Sequence, residues 1–190
     1  MFVDYVPLLL INMAAGLFLL AWYLYKGIEA VEQKIWAPAF AIVGFVALVN
    51  GLHMSWVWPL PGSYNVAFGE MSVFFGVLFL AAALAFANNW GLFPIGIYSV
   101  FTGIAAVLIG IRIINLKMTQ EPIVSGMGFI LSGLASIFVG PVLYFKNNRA
   151  LRIVIAFFLI VAGIIWLRTG YKAYWSHLSN LSKWVPVLMR

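Results

Sequence analysis

The chain has 190 residues, 65% apolar and 8% charged, which excludes an ordinary soluble domain, where about a quarter of residues are charged. The net charge is +6, but the lysines and arginines lie at the ends of apolar runs, so no nucleic-acid surface is expected. With no cysteine, disulfides, thiol catalysis and thiolate metal sites are excluded as well.

Apolar runs of about 20 residues, the length that crosses the hydrocarbon as a helix, recur along the chain and predict six spans. The first covers about 6–25, with Asp4 as its expected cap and Pro7 tolerated in the first turn. No basic segment precedes this run, so it is expected to be a retained helix and not a signal peptide. The charged loop Lys26 to Lys34 leads to the second span, about 35–57. The turn WPLPGSYN cannot continue a helix, because of its two prolines and Gly62. The third span, about 66–87, stops at Asn88-Asn89, and the fourth, about 93–116, starts around Pro94. LKMTQEP leads to the fifth, about 122–145, where Pro141 predicts a kink near Ile137 to Pro141. KNNR links to the sixth, about 150–171, and residues 172–190 read as an interfacial tail. The expectation is an all-α integral membrane protein: a compact six-helix transmembrane bundle over 1–171 with Gly-rich seams and a C-terminal interfacial segment.

Glycines recur seven apart in five of the spans: Gly44 and Gly51; Gly69 and Gly76; Gly96, Gly103 and Gly110; Gly126, Gly133 and Gly140; Gly163 and Gly170. Seven residues are two helical turns, so each set lies nearly on one face. Lipid gives helices no hydrophobic reason to associate, and small residues that let backbones approach closely are the usual seam. The period favours left-handed crossings. The fifth span adds Gly128, Ser132, Ser136 and Gly140 at spacing four.

Lys26, Lys34, Lys146, Arg149 and Arg152 share one side of the membrane. Lys117, Lys172, Lys183 and Arg190 lie opposite, with Arg112 and Arg168 near span ends. The protein is expected in the cell membrane, and weighting the first hairpin puts both termini and the Asn50–Glu70 turn outside.

That turn concentrates the polar side chains: Asn50, His53, Ser55, Trp56, Trp58, Tyr64, Asn65 and Glu70. His53 lies about four residues before one span ends and Glu70 about four after the next begins, each roughly 6 Å below the interface at 1.5 Å per residue. Intramembrane ionisable groups are functional candidates, so a shared proton or hydrogen bond is one reading. The other is a structural cap flanked by an aromatic belt. Arg112 and Asn115, one turn apart, form either a snorkelling anchor or a partner for Glu70. Asn12 is expected to bond across helices. His53 and His177 share a side, so a bis-His haem is conceivable, but no cofactor and no metal site is expected.

The stretch GLHMSWVWPLPGSYNVAFGE, with FFGVLFLAAALAF, GIAAVLIGIRIINL and GYKAYWSHL, resembles an uncharacterised prokaryotic membrane-protein family, domain of unknown function 981. That resemblance implies an integral membrane protein and no activity. FANNWGLFPIGIYSVFTGI is similar to a segment of the amide and urea channels, on Asn88, Gly91-Leu92, Tyr98-Ser99 and Phe101. It implies a six-helix oligomer with a narrow pore in each protomer; the acid-gating His-rich loop of that family has no counterpart here.

Two readings follow. In the first, the chain is a passive channel for a small neutral solute, with an aromatic mouth of Trp56, Trp58, Tyr64 and Phe68 above a polar rung of Asn50, His53 and Glu70. In the second, it is a non-catalytic subunit of a larger membrane complex. Partners beyond the bilayer would be further copies or that complex. An intramembrane enzyme using His53 and Glu70 lacks a visible nucleophile or metal.

Overall fold

Prolines start four of the helices and left-handed residues end three. A computed structural model describes residues 4–185, and its helices are α1 (Val6–Tyr25), α2 (Ala37–Val57), α3 (Met71–Asn88), α4 (Phe93–Leu116), α5 (Pro122–Tyr144) and α6 (Arg149–Asn180). A π-helical segment, Asn65–Glu70, leads into α3. Proline opens the first turn of α1, α2, α4 and α5, where a missing N–H costs nothing. Trp58, Asn89 and Lys117 close α2, α3 and α4 at φ 52°, 55° and 50°, turning their N–H groups back onto the last-turn carbonyls. Asparagine takes this conformation readily, which is why the third span stops there.

All six helices are long and apolar enough to cross a bilayer. Among the described residues there is no strand. Two details depart from expectation. Asp4 does not cap α1: its carboxylate accepts a hydrogen bond from His177 Nδ1 at 2.8 Å. Residues 172–180 do not form a separate segment but continue α6, whose 32 residues span about 48 Å against ~30 Å of hydrocarbon. Residues 1–3 and 186–190, Arg190 among them, lie outside the described residues.

Each helix packs on its neighbours in the chain, and α6 closes on α1, so the six form a ring. The closest pairs are α4 with α5, α1 with α6 and α2 with α3. Glycine sets these distances. Between α4 and α5, Gly96 faces Gly140, Gly103 faces Gly133 and Gly110 faces Gly126. A methyl group on Gly103 would lie 2.6 Å from the Gly133 carbonyl oxygen. Gly44 of α2 faces Gly76 of α3 in the same way, and Gly51 faces Gly69 in the π-helical segment that leads into α3. Gly163 and Gly170 of α6 receive Phe18 and Ile11 of α1. Asn12 Nδ2 crosses from α1 to the Val43 carbonyl of α2 at 2.9 Å, the interhelical bond its position predicts.

The closure of α6 on α1 also depends on a buried arginine. Arg152 is 2% exposed. Its Nε donates to the Leu24 carbonyl at 2.8 Å and its Nη2 to the Tyr25 carbonyl at 2.7 Å, while Nη1 pairs with Glu29. It therefore satisfies two carbonyls that the end of α1 leaves unpaired, and places a cation at the negative end of that helix. The same bond holds the Glu29 carboxyl below its usual range.

Gly103→Ala is expected to destabilise the protein by about 1–3 kcal/mol, the usual cost of forcing a methyl into a packed seam. Gly91→Ala, where a methyl meets open space, is the neutral control. Arg152→Met keeps the bulk but loses charge-assisted bonds of about 1.5–3 kcal/mol each. Its thermal midpoint in detergent is expected to fall well below that of Lys146→Met.

Candidate functional site

The polar residues of the α2–α3 hairpin bind mostly backbone. Asn65 is fully buried: it accepts from the Leu60 N–H at 3.0 Å and donates to the Leu60 and Gly62 carbonyls at 2.5 and 3.1 Å, bracing the turn. Tyr64 donates its hydroxyl proton to the Met118 carbonyl, tying the hairpin to the α4–α5 loop. Asn50 donates to Val46 of its own helix at 2.8 Å, and Ser55 to Gly51 at 2.8 Å. His53 Nδ1 lies 3.4 Å from the Tyr5 hydroxyl, with the rings edge to face. Burial raises the Tyr5 hydroxyl above its ordinary pKa.

Glu70 is exposed, and among the described residues no hydrogen bond or ion pair joins it to His53 or Arg112. Arg112 and Asn115 are exposed on the outside of α4, and Trp56 and Trp58 are exposed at 77% and 50%. The polar rung expected at the hairpin is therefore not assembled. His177 meets Asp4, a residue away from Tyr5, so the two histidines are bound by neighbouring residues of the α1 start. Among the described residues no three His, Cys, Asp or Glu side chains cluster as metal ligands.

The internal space lies elsewhere. A cavity of about 130 Å³ is lined by side chains of all six helices. One wall is aromatic: Phe40 stacks on Phe79 at 5.0 Å, and Tyr23 packs on Phe86 at 4.9 Å. The other wall carries Ser99 and Thr102 of α4 with Ser132 and Ser136 of α5. Ser99 Oγ reaches the Gly96 and Ser136 carbonyls at 2.7 and 2.9 Å, and Ser136 Oγ reaches the Ser99 carbonyl at 2.9 Å. Thr102 donates to the Ser99 carbonyl at 3.0 Å, and Ser132 accepts from Trp166 Nε1 at 3.0 Å. Among the described residues no carboxylate, lysine, arginine or histidine lines the cavity.

The hairpin still bears on this space. Tyr64 stacks on Phe68 at 6.2 Å, Phe68 meets Phe129 at 5.5 Å and Phe129 meets Trp166 at 5.0 Å. Phe129 and Trp166 are part of the cavity wall, so an aromatic relay runs from the turn to the interior. None of Asn50, His53, Trp56, Trp58, Tyr64, Glu70, Arg112 and Asn115 lines the cavity itself. The hydroxyls that do line it follow helical spacing, Ser99 with Thr102 and Ser132 with Ser136, a signal that reads equally well as a packing stripe.

This arrangement defines a polytopic membrane protein, a ring of six helices around an internal cavity. A family model described as Protein of unknown function (DUF981) matches residues 1–180, and the chain belongs to that family. No curated protein and no solved structure matches it, and the likeness to amide and urea channels gains no support from these comparisons.

At the hairpin end, Glu121 accepts from Arg168 at 2.8 Å and Lys172 at 2.5 Å, which pulls its pKa from 4.5 down to about 2. A carboxylate whose folded value is depressed stabilises above its unfolded value and loses that contribution as pH falls toward the folded one. The melting-temperature gap between the wild type and Glu121→Gln is therefore expected to be constant above pH 5 and to close between about pH 4.5 and 2. Both carriers of positive charge are more than half exposed, so added salt is expected to narrow the gap as well.

Proposed function

We propose that the ring is a passive channel for a small neutral solute in a cell membrane. The supporting observation is the cavity that all six helices line, with no charged side chain among the described residues in its wall. An ion entering such a space would lose its hydration with nothing to replace it, a cost of many kcal/mol, whereas a neutral solute would not. The space is smaller than the ~300–1,000 Å³ of sites for drug-sized ligands, which favours solutes of a few heavy atoms. The seryl and threonyl protons bond mostly to backbone, so the wall offers mainly oxygen lone pairs. Short alcohols and amides suit that surface, one polar end against α4 and α5 and the remainder against the phenylalanines.

In this proposal, weighting the Lys26 and Lys34 hairpin puts both termini outside. Proteoliposomes are expected to swell several times faster than empty vesicles in glycerol, urea or acetamide, and to exclude sodium and chloride. Swelling at the rate of empty vesicles would remove the channel.

One observation favours a second reading, an accessory subunit or an oligomer. Glu70, Arg112 and Asn115 face away from the ring at the hairpin end. Polar groups on a lipid-facing surface call for partners. Native mass spectrometry after mild-detergent extraction tests this reading: a lone protomer would count against it.

A further inference from the structure

A second cavity of about 350 Å³ lies at the end of the ring opposite the hairpin, where the α3–α4 loop faces the α1–α2 and α5–α6 loops. It is the more polar of the two, with Gln33, Asn89 and Lys146 in its wall. Four residues line both spaces: Tyr23, Phe86, Leu92 and Leu143. The two cavities are therefore neighbours, divided by a thin layer of side chains.

Tyr23 stands out within that layer. The residue is 4% exposed, and its ring is held on three sides, by Trp36 at 5.4 Å, Phe40 at 6.0 Å and Phe86 at 4.9 Å. Its hydroxyl has no hydrogen-bond partner among the described residues, yet the oxygen is not sealed off as Gln33 Oε1 and Trp36 Nε1 are. A buried hydroxyl without a partner costs about 1–3 kcal/mol, so such groups are normally matched by protein, water or ligand. The Gln33 oxygen and the Trp36 N–H nearby are also unpartnered. Packing alone would be served by phenylalanine here, as it is at Phe40, Phe79 and Phe86.

We propose that the second cavity is the vestibule through which solute reaches the interior, and that the Tyr23 hydroxyl is the hydrogen-bonding group it meets at the divide. The ligand class is a small neutral molecule that both donates and accepts, a primary amide or a short alcohol. This rests on the channel reading, but binding and access can be measured without permeation.

The absence of native cysteine makes the test clean. Gly91 lines the vestibule and has open space where a side chain would go, so Gly91→Cys alkylated with a bulky maleimide plugs the vestibule. Ser63→Cys, in the exposed hairpin turn, is the control at the far end. Tyr23→Phe removes one oxygen and keeps every ring contact. The probe is acrylamide, a neutral amide that quenches tryptophan fluorescence, read on the detergent-solubilised full chain with iodide as the charged comparison.

Acrylamide is expected to quench Trp166, the buried tryptophan of the cavity wall, in addition to the exposed tryptophans that iodide also reaches, so the excess of acrylamide over iodide quenching is the signal. Alkylated Gly91→Cys should lose that excess and alkylated Ser63→Cys keep it. Tyr23→Phe should weaken it about two- to tenfold, the worth of one hydrogen bond. The same variants should slow acetamide-driven swelling in the same order. Quenching that responds to Gly91 and Tyr23 without any swelling would sustain the site and overturn the channel. Swelling and quenching unchanged in both variants would overturn this proposal and leave the channel standing.

Discussion

Backbone-to-backbone contact at glycine is the interaction on which the rest of this structure depends. In lipid no hydrophobic force presses one helix on another, so cohesion comes from how near two backbones can come. At Gly103 and Gly133 the carbonyl oxygen of one helix lies 2.6 Å from where the other would carry a Cβ. Such spacing brings Cα–H groups against carbonyls, each contact worth about 0.5–1 kcal/mol, and repeats it at every second turn. Five such facing pairs bind α2 to α3 and α4 to α5. The α1–α6 pair uses another device, glycines that accept bulky side chains plus the Arg152 bonds at one end. The ring is thus three tight antiparallel pairs, and its softer seams lie between pairs.

That division locates the internal space. A ring of six helices packed equally on all sides would leave a gap at its axis, and phenylalanines of α2 and α3 fill part of it. Phe75 and Phe79 reach across to Gly16 of α1. What they do not fill is the cavity beside the hydroxyls of α4 and α5. The vestibule opens where the α3–α4 loop joins two glycine-bound pairs, at one of the softer seams. Movement there disturbs side chains and a four-residue connection, whereas movement within a pair would have to part backbones.

The sevenfold glycine period was legible because a helix face repeats every two turns whatever surrounds it. Which glycine meets which was not, since the register between helices depends on loop geometry at both ends. The internal cavity was illegible for a different reason. In a soluble helix, polar and apolar faces contrast; here Phe79, which lines the cavity, and Phe101, which faces outward, sit in equally apolar runs. Asn50, His53 and Tyr64 are conspicuous in the sequence because they are polar in an apolar chain. Yet such residues are needed wherever a hairpin must satisfy its own backbone, and that is how Asn65 and Tyr64 are spent. Tyr23, two residues from the end of its span, has the sequence signature of an ordinary interfacial aromatic. Arg152 likewise resembled a topology signal, and only the geometry assigns it to the end of α1.

The two ends of α6 fix the ring differently. At the vestibule end its clamp is buried: Arg152 is sequestered among carbonyls, where competing water and salt are weak. At the hairpin end its partners are Asp4 through His177 and Glu121 through Arg168 and Lys172, all at the surface. Ion pairs of that kind contribute little in water and are screened by salt. These contacts lie on the C-terminal turns of α6, where Asp4 stands next to Tyr5 and its contact with His53. The aromatic relay from Tyr64 to Trp166 starts at this weakly tied end and finishes in the cavity wall. A change that loosens the hairpin would therefore reach the interior through packed rings, while the same change at the vestibule end would first have to break the arginine clamp. The asymmetry gives the ring one firm end and one compliant end, set by where its charges are buried.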